Sequence, residues 1–457
     1  MKRVLTLSAF WILLAAVLFV ILLLISEHRR PRTAPPNGMV INVVTDLGID
    51  NSGNSDVSES ILKAIKNLNP STPATLFFPP GKYTIDAGVH IPATESTFGG
   101  LRILGAGMGS TYFLSNCTNG FAWWYDNQGS TDNLSGPEFS SATIQDTSYA
   151  GRCRDLLRFT QTAMNVISRM RLLNAQGNTY KAGNVSISGN TITGRGVNWT
   201  SEMIPSVLQV NNVMAEICGF KSTTQLVLCD TAWPGGAVSN ASYAIAWGGR
   251  ALTFDAGKTY TQYITVSDVY ISNSLFGIFS MGTSKGGNSR ITVQGKAGWI
   301  GISGKRIPNS VGIWLGKHSD TFQISIPVNN VARCFVMDSA HTNFFDGADC
   351  ENNSNSTPVD TCNGGVAKQD CIAGYEISAD ANSTGFGNSI GSPYVYLAGT
   401  AVKVDNTYGA AYLSIMALRS ANFSNLNSYE FSGVKGCPAS GVATTATIVD
   451  WDCTHTH

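Results

Sequence analysis

Apolar residues along most of the chain come in runs of three to five, alternate with polar ones and stop at Gly, Asn, Asp or Ser. That period of two belongs to strands. In TLFFPPGKYTI, residues 75–85, a strand through Phe78 meets Pro79, Pro80 and Gly81 and resumes at Tyr83. Proline has no donor for a sheet ladder, so the interruption predicts a corner joining two strands. Helical spacing stands out at 58–66, SESILKAIK, where Ile61, Leu62 and Ile65 share a face and Asp56 or Ser58 can cap the first turn.

Many short strands leave a sandwich, barrel, propeller or solenoid open. Internal similarity narrows the choice. VISRMRLLN at 166–174 resembles TVSDVYISN at 265–273. A second series recurs as FGIFSM (276–281), VGIWLG (311–316), RCFVMD (333–338), AGYEIS (373–378), TAVKVD (400–405) and SYEFSG (428–433). Propeller blades repeat more evenly, and a sandwich seldom repeats one strand type six times. The pattern predicts a parallel β-helix, its coils stacked at one strand spacing, roughly 4.8 Å. The first two similar segments are 99 residues apart, and 183–247 resembles neither. It reads as a small β domain inserted at a coil corner, where closing a long loop costs little.

The N-terminus is different in kind. Lys2 and Arg3 precede an uncharged apolar run, Val4 to Ile25, whose 22 residues extend roughly 33 Å as a helix. No small-x-small cleavage site follows, so an uncleaved single-pass anchor with a cytoplasmic N-terminus is expected ahead of the alternative, a cleaved signal peptide. The expected organisation is therefore an anchor at 1–30, a linker at 31–40, β-helix at 41–182 and 248–435 around the insert, and a disulfide-closed tail at 436–457.

Charge removes one class of partner. Charged residues are 13% of the chain and the net charge is zero, so there is no basic surplus to grip nucleic acid. The ten cysteines form no CxxC zinc pattern. Cys218 and Cys229 bracket a turn as a hairpin disulfide does, and Cys437 and Cys453 bracket the tail. Disulfides persist outside the reducing cytosol, so the body is expected to be extracytoplasmic or secreted.

Three stretches then carry a resemblance: VVTDLGIDNSGNSDVSESILKAI (43–65), TLFFPPGKYTI and LRILGAGMGST (101–111). Together they resemble the rhamnogalacturonase/epimerase-type N-terminal segment of the pectate-lyase-like superfamily. Gly48, Gly53, Asp56, Ile61, Ala64, Ile65, Phe78, Pro79, Pro80, Gly81, Tyr83, Gly105 and Gly107 fall on its pattern, while Asn51, Ser52 and Val57 depart from its acidic turn. The resemblance implies an all-β, right-handed parallel β-helix, the 58–66 helix capping it, and a groove that reads a polysaccharide or surface glycan. ITGRGVNWTSEM in the insert resembles small β modules of bacteriophage tail proteins. A tailspike-like protein would be a homotrimer.

The chemistry is less marked. The polygalacturonase-type set of motifs is absent, and of the lyase Arg-x-Pro-x-x-Arg motif only Arg306 and Pro308 are present. MDSAHTNFFDGADCENN (337–353) concentrates Asp338, His341 and Asp346, an acid, a base or a cation site by type. Asp and Asn bonding their own backbone at a corner is the plain alternative. Aligning the recurring strands stacks Phe279, Trp314, Phe335, Glu376, Lys403 and Glu430 in one outward row, and Met281, Gly316, Met337, Ser378, Asp405 and Ser432 in the next. Glu376 joins Asp338, His341 and Asp346 as a catalytic candidate, and Trp314, Lys403, Asp405 and Glu430 are substrate-binding candidates. An exposed salt-bridge ladder accounts for the same charges. No cofactor or metal is called for, except Ca²⁺ if the protein is a lyase. Three readings stay open: a lyase, hydrolase or epimerase acting on a polysaccharide, a non-catalytic adhesin, or a tailspike-like structural protein.

Overall fold

The computed structural model describes residues 38–453, apart from 295–309, 352–372 and shorter internal stretches; beyond residue 378 it describes mainly strand backbones. Among the described residues two large sheets dominate. In the first, the neighbour order is the sequence order. It runs Val89–Pro92, Phe121–Asp126, Asp155–Thr160, Arg250–Asp255, Phe276–Met281, Val311–Leu315, Arg333–Asp338, Ala373–Ser378, Thr400–Asp405 and Asn427–Ser432. These strands pair in parallel, and Ser440–Ala443 closes the edge antiparallel. Each strand thus comes from a successive coil, which is the β-helix the repeats predicted.

The second sheet bends around the coil. In Glu138–Asp146, the first part pairs with Leu101–Gly105 and the last part with Thr111–Ser115. Between them Ser141 has φ +61° and makes the corner. Another corner stacks through five coils at Met164, Tyr263, Arg290, Thr321 and Thr342, with φ of 57°, 56°, 55°, 52° and 52°. Left-handed backbone costs a side-chain-bearing residue roughly 1–2 kcal/mol. It persists here because each corner is fixed by the ladders on either side of it. The two similar sequences lie side by side: Val166 pairs with Thr265 and Arg171 with Tyr270. Their final Asn174 and Asn273 are both left-handed, and Asn273 Nδ2 donates to Asn174 Oδ1 at 3.0 Å.

Inward positions of the first sheet fill the core with Trp123, Leu157, Leu252, Ile278, Ile313, Phe335 and Tyr375. Rings stack from coil to coil, Tyr125 on Phe159 at 5.1 Å and Phe335 on Tyr375 at 4.7 Å. The helix Ser58–Lys66 buries Ile61 and Ile65 in this core and packs on Val89–Pro92, the end strand of the sheet. Asp56 Oδ1 accepts the Ser58 N–H at 2.8 Å, one residue ahead of the N-cap Val57. The Pro79–Gly81 corner separates strands Ala74–Phe78 and Gly81–Thr84, and Tyr83 Oη donates to the Pro79 carbonyl at 3.0 Å.

Residues 178–247 build a separate antiparallel sheet with its own core around Ile192, Trp199, Leu208 and Leu226. Val207, Met214 and Ala246 of this insert pack on Phe276, Phe279, Trp314 and Val336, on the outward face of the first sheet. Disulfides join Cys117 to Cys153, Cys218 to Cys229 and Cys334 to Cys350. The expected Cys437–Cys453 bridge lies outside the described residues.

The expected membrane-anchored localisation is corrected. Among the described residues no helix is long and apolar enough to cross a membrane, the longest being the nine-residue Ser58–Lys66. The apolar run at 4–25 lies outside them.

Candidate functional site

On the first sheet, alternate residues point away from the core and form rows across the coils. One row reads His90, Trp124, Arg158, Thr253, Phe279, Trp314, Val336, Glu376, Lys403, Glu430. The next reads Asp126, Thr160, Asp255, Met281, and further on Asp338, Ser378, Asp405 and Ser432. The register corrects the expected rows by one residue in RCFVMD. Phe335 points inward against Tyr375 and Phe345, so Val336 faces out and Asp338 replaces Met337.

The expected candidates do not converge. Trp314 is fully buried beneath the insert and offers no ring to a ligand. Glu376 is buried and accepts Arg333 Nε at 2.6 Å, an internal ion pair. Asp338 is buried too, and its Oδ2 accepts the backbone N–H of Glu216 at 3.3 Å, tying the insert to the sheet. Asp346 lies exposed on the other sheet, beside Gly391 in register. Lys403 stands in register between Glu376 and Glu430, and Asp405 between Ser378 and Ser432. His341 lies outside the described residues.

A denser group occupies the same two rows earlier in the chain. The His90 and Trp124 rings stack at 4.3 Å, and the Arg158 guanidinium lies over Trp124 at 4.6 Å. Trp124 Nε1 donates to Thr160 Oγ1 at 2.9 Å, and His90 Nε2 is 3.2 Å from Asp126 Oδ2. Arg158 Nη2 donates to Asp255 Oδ2 at 2.5 Å. Behind them Arg250 grips Asp155 through Nε and Nη2 at 2.7 and 2.9 Å, and Nη1 reaches the Pro205 carbonyl of the insert at 3.1 Å. Burial pushes the Asp155 carboxyl up, but Arg250 and Arg158 outweigh it and hold the group below its ordinary range.

This group joins two clefts. His90 lines one of about 410 Å³ with Leu62 and Phe121. Asp255 lines another of about 430 Å³, where the insert meets the sheet, with Glu216, Leu228, Met281, Lys317 and the Cys218–Cys229 bridge. With His90 on one face of Trp124 and Arg158 on the other, the row presents the edge of the indole, an imidazole, a guanidinium and carboxylates between two clefts, groups that can bond a sugar's hydroxyls. A signal for these residues was present: WWYD (123–126), LRFT (157–160) and LTFD (252–255) are earlier members of the recurring strand series.

The residues do not fit Ca²⁺, which needs six or more oxygen ligands. Asp126, Asp155 and Asp255 are each turned to a histidine or arginine. Glu216, Cys218 and Cys229 form a close group of metal-ligand types among the described residues, but the two sulfurs are bonded to each other.

Residues 40–303 match the family described as rhamnogalacturonase A/epimerase, pectate lyase-like. The chain belongs to this family. The match takes in His90, Trp124, Arg158, Asp255 and the whole insert. Among solved structures, the ORF18 protein of Geobacillus virus E2 aligns with 85% of the chain at 11% identity and TM-score 0.41. An iota-carrageenase from A. fortis aligns with 84% at 11% identity and TM-score 0.35, and the gp42 tailspike of an Acinetobacter phage with 91% at 10% and 0.39. The chain spans 62%, 57% and 67% of those chains. No curated protein matches the sequence.

Proposed function

We propose that this pectate-lyase-like protein binds a polysaccharide across the coils of its first sheet, over His90, Trp124, Arg158, Asp126 and Asp255. One observation carries the reading: a half-buried tryptophan, framed by a cation and two carboxylates, lies in register between two clefts on one face. Each coil adds one side chain to a row at roughly 4.8 Å, so a linear polymer lying along the row meets a new contact at every coil. The family's fold supports right-handed winding and a capping role for the Ser58–Lys66 helix. The three disulfides suit an oxidising compartment.

A glycan array with intact protein tests the reading. Binding is expected, and Trp124→Ala is expected to weaken it. Absence of binding to any glycan at millimolar concentration, or unchanged binding by Trp124→Ala, would remove this face from consideration.

A further inference from the structure

The turns that lead into the first sheet hold a second cationic centre, apart from the outward rows. Cys153 is buried and bonded to Cys117 of the preceding coil. Burial alternates through 151–155, with Arg152 exposed and Arg154 half-buried on either side of Cys153. Both arginines line a cleft of about 440 Å³. Thr118 and Asn119, next to Cys117, form a second wall, and Glu202 and Trp247 of the insert form a third. The disulfide therefore clamps two of the walls together, and Asn178 Nδ2, at the foot of the insert, donates to the Gly151 carbonyl at 2.7 Å and ties in the third.

Arg154 is set in place by its neighbours. Its Nη2 donates to the Asn119 carbonyl at 3.1 Å. Gly120, at φ +87°, gives the guanidinium its seat, since a Cβ there would collide with Arg154 Nε. Among the described residues neither Arg152 nor Arg154 forms an ion pair. The charged groups lining the cleft are these two guanidiniums and one exposed carboxylate, Glu202, so the cleft is positive on balance.

Each guanidinium is a planar fork that bonds two oxygens at once. A carboxylate has two oxygens and is used up by one fork, whereas a tetrahedral oxyanion offers different oxygens to both. The cleft falls within the range of small-molecule sites, about 300–1,000 Å³, so there is room for the anion to arrive attached to a sugar ring.

We infer that this cleft is a binding site for a tetrahedral oxyanion, sulfate or phosphate, free or as an ester, with Arg154 as its fixed donor and Arg152 as its second. It shares Asn119 with the His90 cleft but none of the residues proposed above to bind a polysaccharide, so either reading can fail without the other.

Isothermal titration calorimetry of the intact protein tests it, with sodium sulfate and sodium phosphate at an ionic strength held constant by chloride. Saturable binding is expected. Arg154→Gln is expected to weaken it about 10–100-fold, the loss for a hydrogen bond to a charged group. Arg154→Lys, which keeps the charge and loses the fork, is expected to fall between. Arg152→Gln is expected to cost less than Arg154→Gln, and because that side chain is exposed it carries the test should Arg154→Gln lower the melting temperature. Glu202→Gln is expected to tighten binding about twofold. Dextran sulfate set against dextran distinguishes the sources. Binding of the sulfated polymer alone, displaced by free sulfate, means an ester, and binding of the inorganic ion without dextran sulfate means a free ion. No saturable binding of either ion, an affinity unchanged in both Arg152→Gln and Arg154→Gln, or acetate binding as tightly as sulfate would overturn the proposal.

Discussion

One sheet carries two different outward faces. From Val89 to Asp255 its outward rows are charged and partly open, with His90, Trp124, Arg158, Asp126 and Asp255. From Phe276 to Val336 the same rows turn apolar, with Phe279, Trp314 and Val336, and the insert covers them. Backbone, register and inward core do not change across the boundary. A tryptophan occurs in each half of one row, Trp124 and Trp314, and the second is sealed. In a stacked ladder, therefore, residue type alone does not mark a site. What lies on the row decides.

The boundary suggests ways to break this contrast. The largest effect is expected from Trp314→Ala, which empties a buried ring site under the insert and is expected to cost about 3–5 kcal/mol, read from a denaturant midpoint. Trp124→Ala is expected to cost well under that in stability. Equal costs would mean the two halves are packed alike.

Arg250 stands on the boundary, bonded to Asp155 on the sheet and to Pro205 of the insert. Arg250→Met leaves Asp155 buried with Arg158 at 3.7 Å as its remaining cation. A loss of about 3 kcal/mol is expected, at the low end for a broken buried pair, and the same unfolding measurement checks it. A loss under about 1 kcal/mol would show a pair no stronger than a surface one.

Next in size is the loss of affinity in Trp124→Ala, about tenfold, which corresponds to about 1.4 kcal/mol, measured by titration with a bound glycan. The smallest expected effect is one of pH. Asp155 is held below its ordinary range, so its contribution is present above about pH 3.9 and is lost as pH falls below that. Asp146, which burial pushes up against its Ser148 bonds, works in the opposite sense and gains as pH falls. Melting from pH 7 to 3 is expected to show a steeper fall in the native protein than in Asp155→Asn. Parallel curves would contradict the assignment.

The coil architecture was legible because period-two runs and the 166–174 and 265–273 pair are backbone properties, fixed by local pattern. The corners were not. Met164, Tyr263 and Arg290 carry no turn signal of the Gly or Asn kind, and their left-handed backbone is imposed by neighbouring coils. The expected row was off by one at Phe335, because that ring belongs to the core stack with Tyr375 and Val336 faces out instead. Starting the repeat series at Phe276 passed over Trp124, Arg158 and Asp255, although the same strand type is visible there. The contact between Glu216 and the sheet had no sequence signal: its carboxyl lies over Gly316, where a Cβ would collide with Glu216 Oε2, and an element from elsewhere in the chain brings it there.

Oxidative footprinting of the two tryptophans tests the contrast most directly. In free protein Trp124 is expected to oxidise and Trp314 to resist, and a bound polysaccharide is expected to protect Trp124 while leaving Trp314 unchanged. Oxidation of Trp314 in the folded protein, or a Trp124 that bound polysaccharide leaves unprotected, would contradict an open, ligand-reading half beside a sealed one.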